Sequence, residues 1–193
     1  MEETRETLAH PCLQAHAALL AERAIPLGLV AESDRDRLWE RHIEDCLRAT
    51  VAFRPEDRLT YDLGSGAGLP GIVLACALPD RRFRLIEPRR TAVAFLELAV
   101  ERLGLANVEI LSVRAEAIHG PADVVTARAF APPDRAWAVA RRLLRPGGRL
   151  VYFAGAGLKD PEGSARRFSE PPAEVEVVGQ VASGAPLVIM SRG

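Results

Sequence analysis

Apolar positions in the first fifty residues recur at helical spacing; from residue 59 they gather into short runs separated by glycine, proline and charge. Residues 4–24 set Leu8, Cys12, Leu19 and Leu20 among many alanines, predicting a helix that Pro26 and Gly28 break. Ser33 is placed to cap a second helix whose apolar residues include Leu38, Ile43 and Leu47, and a turn follows at Arg54-Pro55-Glu56. Thereafter strand and helix patterns alternate. RLTYDL, RFRLIE, NVEILSV, ADVVTAR and RLVYFAG read as strands. LPGIVLACAL, RRTAVAFLELAVERLGL and PDRAWAVARRLL read as helices, with Gly104 as a left-handed stop and Pro146-Gly147-Gly148 as a terminator. The alternation implies a mostly parallel sheet covered on both faces. AEVEVVGQV and PLVIMSR, separated by a few turn residues, break it and predict a terminal hairpin. The expected organisation is an N-terminal helical extension over 1–55 and one compact α/β domain over 56–193.

Composition narrows the class. The 193 residues are 48% hydrophobic with a formal net charge of -1, enough for one sizeable core. No apolar run approaches the ~18 residues of a membrane span. The acidic N-terminus lacks the order of a secretory signal, so a cytoplasmic protein is expected. Cys12, Cys46 and Cys76 are odd in number and lack a CxxC pair, which predicts reduced thiols and no metal site. Lys159 is the only lysine, and the near-neutral balance argues against a stand-alone nucleic-acid binder with a broad basic face.

The chemistry concentrates where the first strand ends. Gly64, Ser65, Gly66 and Gly68 form a turn at the carboxyl edge of the sheet, where open α/β folds bind ligands. Glycines admit positive φ and leave no Cβ against a ligand, and the helix behind offers unpaired N–H groups to an anion. The spacing is G-x-G-x-G with Leu69 where a dinucleotide loop has its third glycine, and no P-loop pattern follows. Glu87 closes the second strand about twenty residues on, placed to accept hydrogen bonds from ribose hydroxyls. Loop, acid and terminal hairpin together point to S-adenosyl-L-methionine in a class I, Rossmann-like methyltransferase fold.

Four segments, taken in order, resemble the small-subunit ribosomal RNA methyltransferase G family, also called glucose-inhibited division protein B. They are RLWERHIEDC, DLGSGAGLPG, VRAEAI and ARAFA, spanning about residues 25 to 155 with their surroundings. The resemblance implies transfer of a methyl group to guanine N7 in small-subunit (16S) ribosomal RNA, free or in the assembled 30S particle, without membrane or metal. By position it implies that Gly64 and Leu69 contact the cofactor, Glu87 holds its ribose, and Ala115 and Glu116 flank its adenine. It also implies Arg128 beside cofactor and base in a positioning role, and Arg41, His42 and Phe130 on the substrate side. Phe153-Ala154-Gly155 lacks the lysine that commonly precedes that glycine in the family, and the N-terminal segment is short. A relative acting on another RNA or a small metabolite, or a non-catalytic cofactor-binding assembly factor, therefore stands as the alternative.

Overall fold

Residues 10–155, 173–178 and 186–193 are described by a computed structural model. Seven strands form one sheet: β1 (Leu59–Leu63), β2 (Arg82–Ile86), β3 (Val108–Leu111), β4 (Ala122–Arg128), β5 (Leu144–Phe153), β6 (Glu174–Val178) and β7 (Leu187–Ser191). Their order is β3-β2-β1-β4-β5-β7-β6. The first five are parallel, while β7 enters antiparallel between β5 and β6. β1 lies inside the sheet between β2 and β4, and Thr60 to Leu63 are all buried, which is why a stretch with so little alternation still reads as a strand. The expected hairpin is present in its two strands; the residues joining them lie outside the described part.

Alternate side chains of the sheet feed two cores. Val124, Val151 and Phe153 face a core shared with α1 (Pro11–Leu19), the helical run after it, α3 (Gly71–Ala77) and α4 (Arg90–Leu103). Tyr61, Leu63, Val125, Ala127 and Leu150 face the other, covered by α5 (Pro133–Leu143) through Ala136, Trp137, Ala140 and Leu143. Within α4, buried Ala92, Val93, Phe95, Leu96 and Ala99 follow the helical repeat. Gly104 ends it at φ +64°, as its sequence position predicted.

Three expectations are corrected. The second helix is not one regular α-helix capped by Ser33. It passes through 3₁₀ turns at Glu32–Arg37, a π turn at Trp39–Glu44, the single α turn α2 (Asp45–Leu47) and a 3₁₀ segment at Arg48–Ala52, and no side chain caps its start. Arg41 and His42 draw the Asp34 carboxylate inward, at 2.9 and 3.0 Å, and the chain winds irregularly around that contact. The Pro146-Gly147-Gly148 terminator is instead absorbed into β5, which starts at Leu144. There a register shift opens against β4, and Gly147 and Gly148 bond the backbone of Arg192 at 2.7 and 2.8 Å. Finally, Cys12 and Cys76 form a disulfide with Cα atoms 5.9 Å apart, and only Cys46 is a free thiol. Their separation of 64 positions hid a pairing that the packing of α1 on α3 creates.

Candidate functional site

β1 ends at Leu63, and the chain turns through Gly64 (φ +67°), Gly66 (φ +55°) and Gly68 (φ +77°) into α3. The N–H groups of Gly64 and Ser65 bond the carbonyl of Ile86 at 2.8 and 3.2 Å, pinning the loop to the end of β2. Gly64 is also a steric necessity, because a Cβ there would stand 2.9 Å from Cδ2 of Phe130. Gly71 opens α3 close against β1: a Cβ would meet Leu85 at 2.3 Å and the Asp62 carboxylate at 2.6 Å.

Beneath the loop lies Asp62, fully buried in the strand. Its carboxylate accepts Thr126 Oγ1 at 2.7 Å and the N–H of Gly71 at 3.2 Å. Burial pushes its pKa up to about 6, although Thr126, Ser65 and the Gly71 N–H hold it down. Asp62 and Thr126 tie β1, β4 and the start of α3 together under the glycines. Sequence reading passed over both, although an acid within an apolar strand just before a glycine loop was the available signal.

Glu87 is 2% exposed. Its Oε2 accepts the N–H of Gly66 at 2.9 Å, and its Oε1 accepts the backbone N–H and Nε of Arg89 at 2.9 and 3.0 Å. Burial alone would raise its pKa, but the Arg89 and Gly66 donors outweigh it and hold the carboxyl below its ordinary value. Acid and glycine loop are thus physically joined, and the Arg89 guanidinium covers the remaining lone pairs.

A cleft of about 220 Å³ opens beside them, lined by Gly64, Ile86, Pro88, Ala115, Glu116 and Phe130, with Arg114 and Arg135 on its wall. Pockets for whole ligands span roughly 300–1,000 Å³, so this cleft suits one end of an extended ligand. Gly64, Ala115, Glu116 and Phe130 are therefore brought together, with Glu87 and Gly66 adjacent through the loop. Ser65 and Leu69, 1% and 8% exposed, are packed into the protein. Sequence reading missed Pro88, Arg114 and Arg135. Larger clefts of about 550 and 600 Å³ share Asp80, Arg82, Ala106 and Asn107 at the amino ends of the strands. They lie at the edge of the sheet away from the glycine loop, where such folds do not bind ligands.

Arg128, Arg41 and His42 form a second cluster. At the end of β4, Arg128 sends Nε to Asp45 at 3.3 Å and Nη2 to the carbonyl of Arg41 and to His42 Nδ1, both at 3.0 Å. His42 Nε2 meets Asp34 at 3.0 Å. Glu116 lends its backbone carbonyl to Arg142 at 3.0 Å. Among the described residues no group of three or more His, Cys, Asp or Glu side chains is arranged to hold a metal ion, and no helix is long and apolar enough to cross a membrane.

The fold is that of class I methyltransferases. M. jannaschii TYW2, solved in complex with AdoMet, is similar at a TM-score of 0.60 and 18% identity, over 79% of this chain and 74% of that one. A methyltransferase from Pyrococcus furiosus is similar at 0.64 and 14%, over 78% and 83%. Curated relatives called ribosomal RNA small subunit methyltransferase G are much nearer in sequence. The protein from Acidothermus cellulolyticus is 43% identical over 160 residues, 80% of this chain and 72% of that one. The one from Nocardioides is 44% identical over 145 residues, and the match spans only 57% of its length. That from Leifsonia xyli is 40% identical over 176 residues, 88% and 83% of the two chains. The model of the family described as rRNA small subunit methyltransferase G matches residues 9–171. By that match and these identities, the chain belongs to the rRNA small subunit methyltransferase G family.

Proposed function

We propose that this chain transfers a methyl group from S-adenosyl-L-methionine to a guanine N7 of small-subunit ribosomal RNA, acting in the cytoplasm on free RNA or on the assembled particle. The single observation that carries the reading is the bond between Gly66 N–H and the buried Glu87 carboxylate. It fixes a loop of positive-φ glycines against an acid suited to ribose hydroxyls, beside a cleft sized for the base. The residues present fit the cofactor on these grounds. Glu87 would hold the ribose, Gly64, Gly66 and Gly68 would admit the methionine portion, and Ala115 and Glu116 would flank the adenine.

The bound cofactor supplies an electrophilic methyl on a sulfonium that leaves as a neutral thioether. The chain's own task is alignment, since guanine N7 carries a lone pair and no proton to remove. Glu87, Asp62, Asp34 and Asp45 are each held by fixed donors, whereas Glu116 lines the cleft exposed and would flank the adenine and not the reacting base. Phe130, partly exposed at the cleft, offers a face for stacking, and Arg128 a cation at the neighbouring strand end. Good alignment corresponds to effective molarities of ~10⁵ M or more.

Labelled methyl transfer to small subunits from a strain lacking this gene tests the reading, with nucleoside mass spectrometry locating the label. The expected product is 7-methylguanosine. Glu87→Ala should weaken cofactor binding on the order of tenfold or more, since hydrogen bonds to a charged group contribute about 1.5–3 kcal/mol. Cofactor binding without transfer to any subunit or RNA would leave a non-catalytic module; label on another nucleoside would replace the acceptor.

A further inference from the structure

His42 sits where the helical extension meets the end of β4, and it is 9% exposed. Its two ring nitrogens face partners with opposite needs. Asp34, 3.0 Å from Nε2, can only accept as a carboxylate, so Nε2 carries a proton. Arg128, 3.0 Å from Nδ1, can only donate, so Nδ1 must be a bare lone pair. Both neighbours thus select one neutral tautomer. We propose that His42 is a positioning residue for Arg128, a neutral imidazole aligned by Asp34, and that acid disables the site by placing a proton on Nδ1. This rests on the methyl-transfer reading and on Arg128 acting at the reacting groups.

The charged surroundings of His42 come from three elements. Asp34 faces it from the first 3₁₀ segment and Arg41 adjoins it on its own turn, the two joined at 2.9 Å. Arg128 faces it from β4, with Asp45 beyond, and Asp45 is itself held by Arg48 at 2.8 Å. Burial, followed by Arg128, keeps the imidazole below its ordinary pKa of 6.5, with Asp34 opposing and Arg41 assisting. A proton on Nδ1 would set two N–H groups face to face and two cations about 3 Å apart. Arg128 then keeps Asp45 and the Arg41 carbonyl but loses the contact that fixes Nη2.

Single-turnover transfer to unmethylated subunits, measured between about pH 5 and 8, tests this alongside calorimetry of cofactor binding. The wild-type rate should fall on the acid side. His42→Asn puts an oxygen near the place of Nδ1, does not titrate and no longer reaches Asp34; its neutral-pH rate should fall about as far as that of Asp34→Ala, and its acid limb should disappear. Asp34→Ala should lower the rate on the order of tenfold to a hundredfold at unchanged cofactor affinity, as a displaced orienting group does. An acid limb that survives His42→Asn belongs elsewhere, with Asp62 the foremost candidate, and overturns the proposal; so does an unchanged rate in Asp34→Ala. Nitrogen-15 NMR reads the tautomer without turnover. A proton on Nδ1 at neutral pH overturns the alignment whatever the activity, whereas the Nε2–H form in a chain that moves no methyl retains it and removes the functional reading instead.

Discussion

At the scale of single residues, the contact that most shapes ligand entry is Arg89 on Glu87. The guanidinium is 63% exposed and lies across the carboxylate that a ribose would use. On the proposed reading, cofactor and Arg89 would compete for the same lone pairs. Because the Arg89 end of the pair is solvated, water screens it toward the ~0.2–1 kcal/mol of exposed pairs, so Arg89→Ala should tighten cofactor binding by roughly twofold to fivefold, read by calorimetry at low salt. Unchanged or weaker binding would mean that the guanidinium is no competitor. Arg89 was visible in the sequence only as one of a pair of arginines, with nothing to mark it as the neighbour that covers Glu87. The place of Glu87 against the glycine loop was legible, because an acid directly after a strand and about twenty residues past such a loop falls at the same edge of the sheet. Asp34 was not, since its partners come from the following turns.

Among the elements, the join between the helical run and the sheet depends on a buried ion pair. Arg149 on β5 and Asp57 before β1 are 2% and 1% exposed, and the guanidinium also donates to the carbonyl of Ala52. Asp57 in turn receives the N–H of Arg54 at 2.6 Å. Removing one partner of such a pair strands the other, at a cost of about 3–5 kcal/mol. Asp57→Asn should lower unfolding stability by that order in a urea titration, while leaving cofactor affinity of the folded fraction unchanged. A loss under about 1 kcal/mol would show that water or Glu56 replaces the lost charge. The strand–helix alternation was readable because both faces of the sheet are covered, giving apolar runs with little alternation. The helical run was less so: its winding answers to Asp34, Arg41 and His42, which meet only once the turn is made. The β5 start was misread because Pro146-Gly147-Gly148 serves equally to end a helix or to bulge a strand, and the C-terminal backbone at Arg192 decides between them.

The molecule as a whole carries an acid sensitivity built into its core. His16 is fully buried against Phe95, neither ring nitrogen has a hydrogen-bond partner, and burial lowers its pKa from 6.5 to about 3. Unfolding therefore takes up a proton between those values, so this contribution is whole above about pH 6.5 and is lost as pH falls toward 3. Glu87 and Asp123, held below their ordinary values, act in the same sense at lower pH. Asp62 opposes them: its raised pKa gives stability that is full below 3.8 and gone above about 6. His16 alone should cost about 2 kcal/mol between pH 7 and pH 5, a loss that His16→Leu should remove from chemical unfolding curves at the two pH values. Equal slopes in both proteins would assign the sensitivity elsewhere.

The crossing of β4 beside β1 has a consequence for the chain during its own synthesis. Thr126 and Asp62 lie 64 positions apart, and Phe130 reaches Gly64 across a similar gap. At ~5–20 residues per second, a ribosome takes roughly 3–13 s to make the intervening stretch. For that interval the newborn glycine turn has neither its floor nor its wall, so on the proposed reading a copy could hold its nucleoside only after residue 130 has been made.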